Sequence, residues 1–214
     1  MNRRIPTIAA AAIVAVLTLS ACTPNGTTPT KTPSSSPTSA TPTPDAGAAP
    51  TQKPVAPPKD ADQAVADANH AYIEYRKVWF NFLADPDLTT DYLAGYVLPD
   101  SRKARLAKDT YDTKVAKSTT VKGTPFVWTL NAGMSYTAET TNQSTGEKNP
   151  LGSVELFGCS DNTTVTFLEN GVENTEVPKG SYPNEVTMIY KPDHKAWFVA
   201  DEISLRGKEG APLC

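Results

Sequence analysis

Few side chains in this 214-residue sequence are placed to do chemistry. It has two histidines, His70 and His194. His70 lies about 150° from the centre of an apolar helical stripe, beside Asp67 and Glu74, which is a solvated position. His194 sits in Pro192-Asp193-His194-Lys195, a turn between two strand-like runs. An imidazole acid–base mechanism is therefore not expected. Among the carboxylates, Asp201 alternates in phase with Trp197, Val199 and Ile203, so the pattern points it inward. A buried aspartate with a raised pKa can abstract a proton. The same residue can instead pair with an arginine or a backbone donor. Asp161, at a strand end, reads as a turn-holding side chain. Tyr72, Tyr75, Trp79, Trp197 and Asp201 form the candidate pocket, although these rings, with Trp128, would equally fill a core. The sequence has no glycine-rich phosphate loop, no serine nucleophile elbow and no clustered metal ligands. No catalytic residue, metal or cofactor is assigned from it.

The elements that must hold these side chains come in two blocks. From Ala61 to Ala84, Val65, Ala68, Ala71, Tyr72, Tyr75, Val78, Trp79 and Phe82 share one broad helical face. Asp85-Pro86 stops this helix. Ile73 and Phe80 fall between its faces. A short helix around Thr90–Tyr96 follows, and then a more polar surface helix from about Ser101 to Lys114. After Ser118 the period becomes two. Strands are predicted at Thr124–Leu130, Met134–Thr140, Ser153–Cys159, Thr163–Leu168, Glu185–Lys191 and Ala196–Ser204, with an exposed loop over Thr140–Pro150. Helices followed by antiparallel strands predict an α+β domain, with the Tyr72/Tyr75/Trp79 face laid on a curved sheet.

The first sixty residues concern address. Arg3 and Arg4 precede an apolar run, Ile8–Leu19, which is shorter than the roughly 20 residues a membrane span needs. Leu19-Ser20-Ala21-Cys22 then resembles the lipobox of bacterial lipoproteins. The resemblance implies a signal peptide at 1–21 and a mature chain that begins at a diacylated, palmitate-bearing Cys22. It places the protein on the extracytoplasmic face of the cell membrane, held by the lipid. The alternative is an ordinary signal peptide cut after Ala21. Ten of the 19 prolines and no aromatic residue lie in residues 23–59, and Val55 is the one larger aliphatic side chain there. Such a run cannot bury enough apolar surface to order itself, so residues 22–59 read as a lipidated cysteine and a disordered stalk. A Thr/Pro stalk behind a lipobox is similar to surface lipoproteins of Gram-positive, actinobacterial-type bacteria. Loss of Arg3 and Arg4 takes the formal charge from −3 to −5, which gives no support to nucleic-acid binding.

If Cys22 carries lipid, Cys159 and Cys214 remain, and an oxidising compartment favours joining them. The loop so closed would be worth about 4 kcal/mol in the chain-entropy model. The alternative is two free thiols.

The helix "AYIEYRKVWF", the strand "VELFGCSD" and the hairpin "VTMIYKPDHKAWFVADEISLRG" resemble the NTF2-like (SnoaL-like) family over residues 60–214. The resemblance implies a cone: a long first helix and shorter helices on a curved antiparallel sheet. A cystatin-like helix on a meander is the competing architecture. Two functions follow as expectations. One is a membrane-anchored, non-enzymatic binding or interaction module, paired through its sheet as a homodimer or with a cell-envelope protein. The other is a small-molecule isomerase or dehydratase using Asp201 and the pocket tyrosines.

Overall fold

Helix α1, Ala61–Ala84, opens at Asp60, whose side chain accepts the Gln63 N–H at 2.8 Å, and it ends at Asp85, ahead of Pro86. Ala64, Ala68, Ala71, Tyr72, Tyr75, Val78 and Phe82 are buried along one stripe. Phe80 is buried too, in a separate cluster with Val121 and Val165. The computed structural model describes residues 48–143 and 145–214. The signal at 1–21, Cys22 and the stalk through residue 47 lie outside the described residues.

After a 3-10 turn at Thr90–Leu93 comes helix α2, Arg102–Lys117, capped by the Ser101 hydroxyl on Ala104 N–H. The sequence suggests a surface helix, but α2 buries Lys103, Ala107 and Lys114 and leaves Leu106 43 % exposed. Lys114 explains how a lysine can go inside. Its ammonium donates to the carbonyls of Phe82, Asp85 and Leu88 at 2.9, 2.8 and 2.7 Å, using all three protons on the open C-terminal end of α1 and the loop after it.

The strands are β1 (Thr119–Gly123), β2 (Val127–Leu130), β3 (Tyr136–Thr141), β4 (Lys148–Asp161), β5 (Val165–Glu169), β6 (Val172–Glu173), β7 (Ser181–Lys191) and β8 (Ala196–Ser204). They form two antiparallel sheets: β1-β5-β6, and a five-stranded sheet in which β2 and β3 both pair with the long β4, followed by β7 and β8. The result is an α+β fold, two helices against antiparallel sheets. Val154, Leu156, Gly158 and Ser160 of β4 lie on the face toward α1, with Val186, Met188 and Tyr190 of β7 and Trp197 and Val199 of β8. Gly158 has no room for a side chain, because a Cβ there would strike the Trp128 ring and the Thr129 carbonyl. Cys159 and Cys214 are joined in a disulfide with Cα atoms 5.7 Å apart, which ties the chain's last residue to β4.

The β7–β8 register corrects the orientation expected for Asp201. Pairing steps from Met188–Val199 to Thr187–Asp201, which leaves Ala200 as an extra residue on β8. This β-bulge reverses the alternation beyond it. Asp201, opposite Thr187, lies on the outer face of the sheet, whereas Glu202, opposite the buried Val186, faces inward.

The free edge of β8 is covered. Val199 N–H donates to the Tyr96 carbonyl at 2.8 Å, and Leu98 N–H to the Val199 carbonyl at 3.0 Å. Further along, a strap from the N-terminal segment crosses the same edge. Val55 N–H donates to the Lys195 carbonyl at 2.7 Å, and the Gln52 amide donates to the carbonyls of Gly95 and Trp197 at 2.8 and 2.6 Å. These residues read as disordered stalk from composition. Their order comes from carbonyls on distant elements that meet Gln52 and Val55.

Candidate functional site

Between α1 and the five-stranded sheet lies a cluster of charged and aromatic side chains. Tyr72 and Arg76 come from successive turns of α1, Lys103 from α2, Ser160 from β4 and Glu202 from β8. Arg76 Nη1 donates to Glu202 Oε1 at 3.1 Å, to Tyr72 Oη at 3.1 Å and to Ser160 Oγ at 3.0 Å. Tyr72 donates to Glu202 Oε1 at 2.9 Å, and Lys103 Nζ to Glu202 Oε2 at 2.5 Å. The side chains of Arg76, Lys103 and Glu202 are 7 %, 3 % and 17 % exposed.

Two cations share one carboxylate, so the cluster holds a surplus positive charge. Aromatic faces take it up. Lys103 Nζ stands 4.4 Å from the centre of the Trp79 ring, and the Arg76 guanidinium 4.8 Å from that of Phe126. Burial alone pushes the Glu202 carboxyl upward, but the charges of Lys103 and Arg76 and the hydrogen bonds from Lys103 and Tyr72 outweigh it and hold the group at about 2. Burial raises the Tyr72 and Tyr75 phenols well above the usual range, so both stay protonated. Among the described residues, Tyr75 Oη, Arg76 Nε and Trp197 Nε1 are buried without a hydrogen-bond partner.

The five candidate pocket residues do not form one pocket. Tyr72, Tyr75 and Trp197 are at most 1 % exposed and belong to the core. Tyr72 packs edge-on to Trp128, whose indole N–H is held by Asn69, and Trp197 packs on Tyr190. Trp79 is half-buried and lines a separate apolar cavity of about 250 Å³ with Leu83, Val121 and Phe167. Asp201 pairs with Arg102 at 3.1 Å on the outside and accepts the Glu202 N–H at 2.8 Å.

His70 is exposed, and it borders a cavity of about 370 Å³ with Asp67, Glu74, Tyr96 and Trp197, closed on one side by the strap. His194 is exposed at the β7–β8 turn, its ring 5.5 Å from Phe198. Asp161 accepts the Thr163 N–H at 2.7 Å and so holds its turn, and this bond draws its carboxyl below the usual range. Among the described residues, no group of three or more His, Cys, Asp or Glu side chains is arranged to hold a metal ion.

Arg76, Lys103 and Glu202 do not stand out in the sequence as site residues. Arg76 did carry a signal: it stands one helical turn from Tyr72, about 40° around α1, and therefore on the apolar stripe. Glu202 carried none, because the bulge that turns it inward adds one residue without a Gly or Pro to mark it.

No family model matches the sequence, and no curated protein matches it. Among solved structures, the intermembrane-space region of the chloroplast protein ARC6 is similar to this chain. The match has a TM-score of 0.45 and 9 % identity, and it covers 65 % of this chain and 95 % of that one.

Proposed function

We propose that the protein is a lipid-anchored extracytoplasmic protein whose α+β domain, of NTF2-like cone type, is a non-enzymatic interaction module. One observation carries the reading of the domain. The space where a cone would hold a substrate is filled by Tyr72, Tyr75 and Trp197, and its carboxylate, Glu202, is held at about 2 by Lys103 and Arg76. A group so strongly acidic is a poor proton acceptor near neutral pH. The isomerase or dehydratase alternative rests on Asp201, which lies outside, in an ion pair with Arg102. The anchor is supported by the lipobox-like Leu19-Ser20-Ala21-Cys22 and the proline-rich run behind it. A partner would be a cell-envelope protein, or a second copy meeting the outer face of the sheet, where Tyr136 is 52 % exposed.

Intact mass of the protein purified from membranes tests the anchor. The expected product begins at Cys22 and carries the added mass of a diacylglycerol, and a Cys22→Ser chain leaves the membrane fraction. A wild-type mass without acyl groups would sink the anchor.

A further inference from the structure

The strap that crosses β8 lies in a trough lined by aromatic rings. The strap reads Pro50-Thr51-Gln52-Lys53-Pro54-Val55, with Pro57 and Pro58 just beyond. Thr51 and Gln52 form a wall common to two cavities, one of about 550 Å³ that includes Phe198 and one of about 370 Å³ that includes Tyr96 and Trp197. Tyr190 adds its hydroxyl, which donates to the Val55 carbonyl at 3.0 Å. Lys53 shares the smaller cavity with Asp67 and Glu74, so the charge of the strap is complementary to that wall. Gly95 is shaped to the strap as well: a Cβ there would stand 2.5 Å from the Pro50 carbonyl oxygen.

These features match how extended proline-rich chains are recognised: aromatic walls, few backbone bonds and a stiff, pre-extended ligand. Proline has no N–H, so this segment cannot zip onto β8 as a further strand. Among the described residues, the backbone–backbone bond that holds it runs from Val55 N–H to the Lys195 carbonyl. The hydrogen-bond partners of the strap lie well downstream, with Gly95 and Trp197 43 and 145 residues from Gln52, and Tyr190 135 residues from Val55. The trough therefore belongs to the domain and does not depend on covalent continuity with its occupant.

We propose that this trough is a recognition groove for extended proline-rich chain, filled in cis by Pro50–Val55 and open in trans to the same segment of a second copy. Exchange of straps between two copies is self-complementary, since each copy supplies the groove the other fills. The inference deepens the interaction-module reading and rests on it.

The test uses a fluorescein-labelled peptide of residues 48–59 and the full chain carrying Gln52→Ala and Val55→Asp, followed by anisotropy. The altered chain, whose own strap no longer competes, binds the peptide about tenfold or more tightly than wild type does. A peptide with its four prolines changed to serine loses about tenfold or more. A folded, strap-broken chain that ignores the peptide, or equal binding of the serine peptide, overturns the proposal. If the altered chain does not fold, hydrogen exchange on wild type decides. The Val55 amide should exchange about 100-fold or more faster than the Tyr75 amide in α1, and equal protection of the two overturns the proposal. Peptide binding does not depend on the lipid, so a missing anchor and an absent groove give separate results.

Discussion

Replacing Glu202 by glutamine probes the interior most sharply. The side chain keeps its size, but Arg76 and Lys103 lose the carboxylate that both contact. The Glu202 pKa falls from 4.5 to about 2 on folding. A shift of that size corresponds to about 3 kcal/mol of stability at neutral pH. Because the folded value is the lower one, this stability is present above about pH 4.5 and is lost as pH falls through about 2. Glutamine also leaves two cations buried without their counter-charge, so the expected loss at pH 7 is about 3–5 kcal/mol. Urea unfolding measures it as a fall in midpoint of about 1 M or more. The gap between Glu202→Gln and wild type should close as pH falls through about 2, where the wild-type carboxyl becomes neutral too. A triple change, Arg76→Met with Lys103→Met and Glu202→Leu, removes every charge at once and should return to within about 1 kcal/mol of wild type. A Glu202→Gln protein within 1 kcal/mol (about one surface ion pair) of wild type at pH 7 would show that Arg76 and Lys103 do not need the carboxylate. So would a deficit of the same size at pH 7 and pH 2.

Lys114→Met strips the donor from three carbonyls and should cost about 2–4 kcal/mol in urea unfolding, without changing the near-ultraviolet spectrum of a folded sample. Cys214→Ser opens the loop closed on Cys159 and should cost about 4 kcal/mol, with faster amide exchange over the last residues of the chain. Asp201→Asn breaks an ion pair whose arginine is 59 % exposed, and the urea midpoint should register less than about 1 kcal/mol.

The long stripe of α1 is legible in the sequence because small and aromatic residues recur every three or four positions from Ala64 to Phe82. The alternation of Val186, Met188 and Tyr190 is legible for the same kind of reason, at period two. What cannot be read locally is whatever depends on a distant partner. Lys103 and Lys114 look like surface lysines until a carboxylate 99 residues away and a carbonyl 32 residues away meet them. The second sheet hides for a related reason: β5 follows β4 closely in sequence but pairs with β1. The strap has the composition of a disordered run, and its order comes from the carbonyls of Gly95, Lys195 and Trp197, which composition cannot report.

The interior is closed, and its carboxylate is held charged by Arg76 and Lys103. Carbon-detected NMR titration of the Glu202 side chain tests this most directly. The midpoint is expected at about 2, with Arg76 and Lys103 resonances moving in the same step. A midpoint above the usual 4.5 would contradict it, by showing a carboxyl in an apolar pocket that is free to exchange a proton near neutral pH.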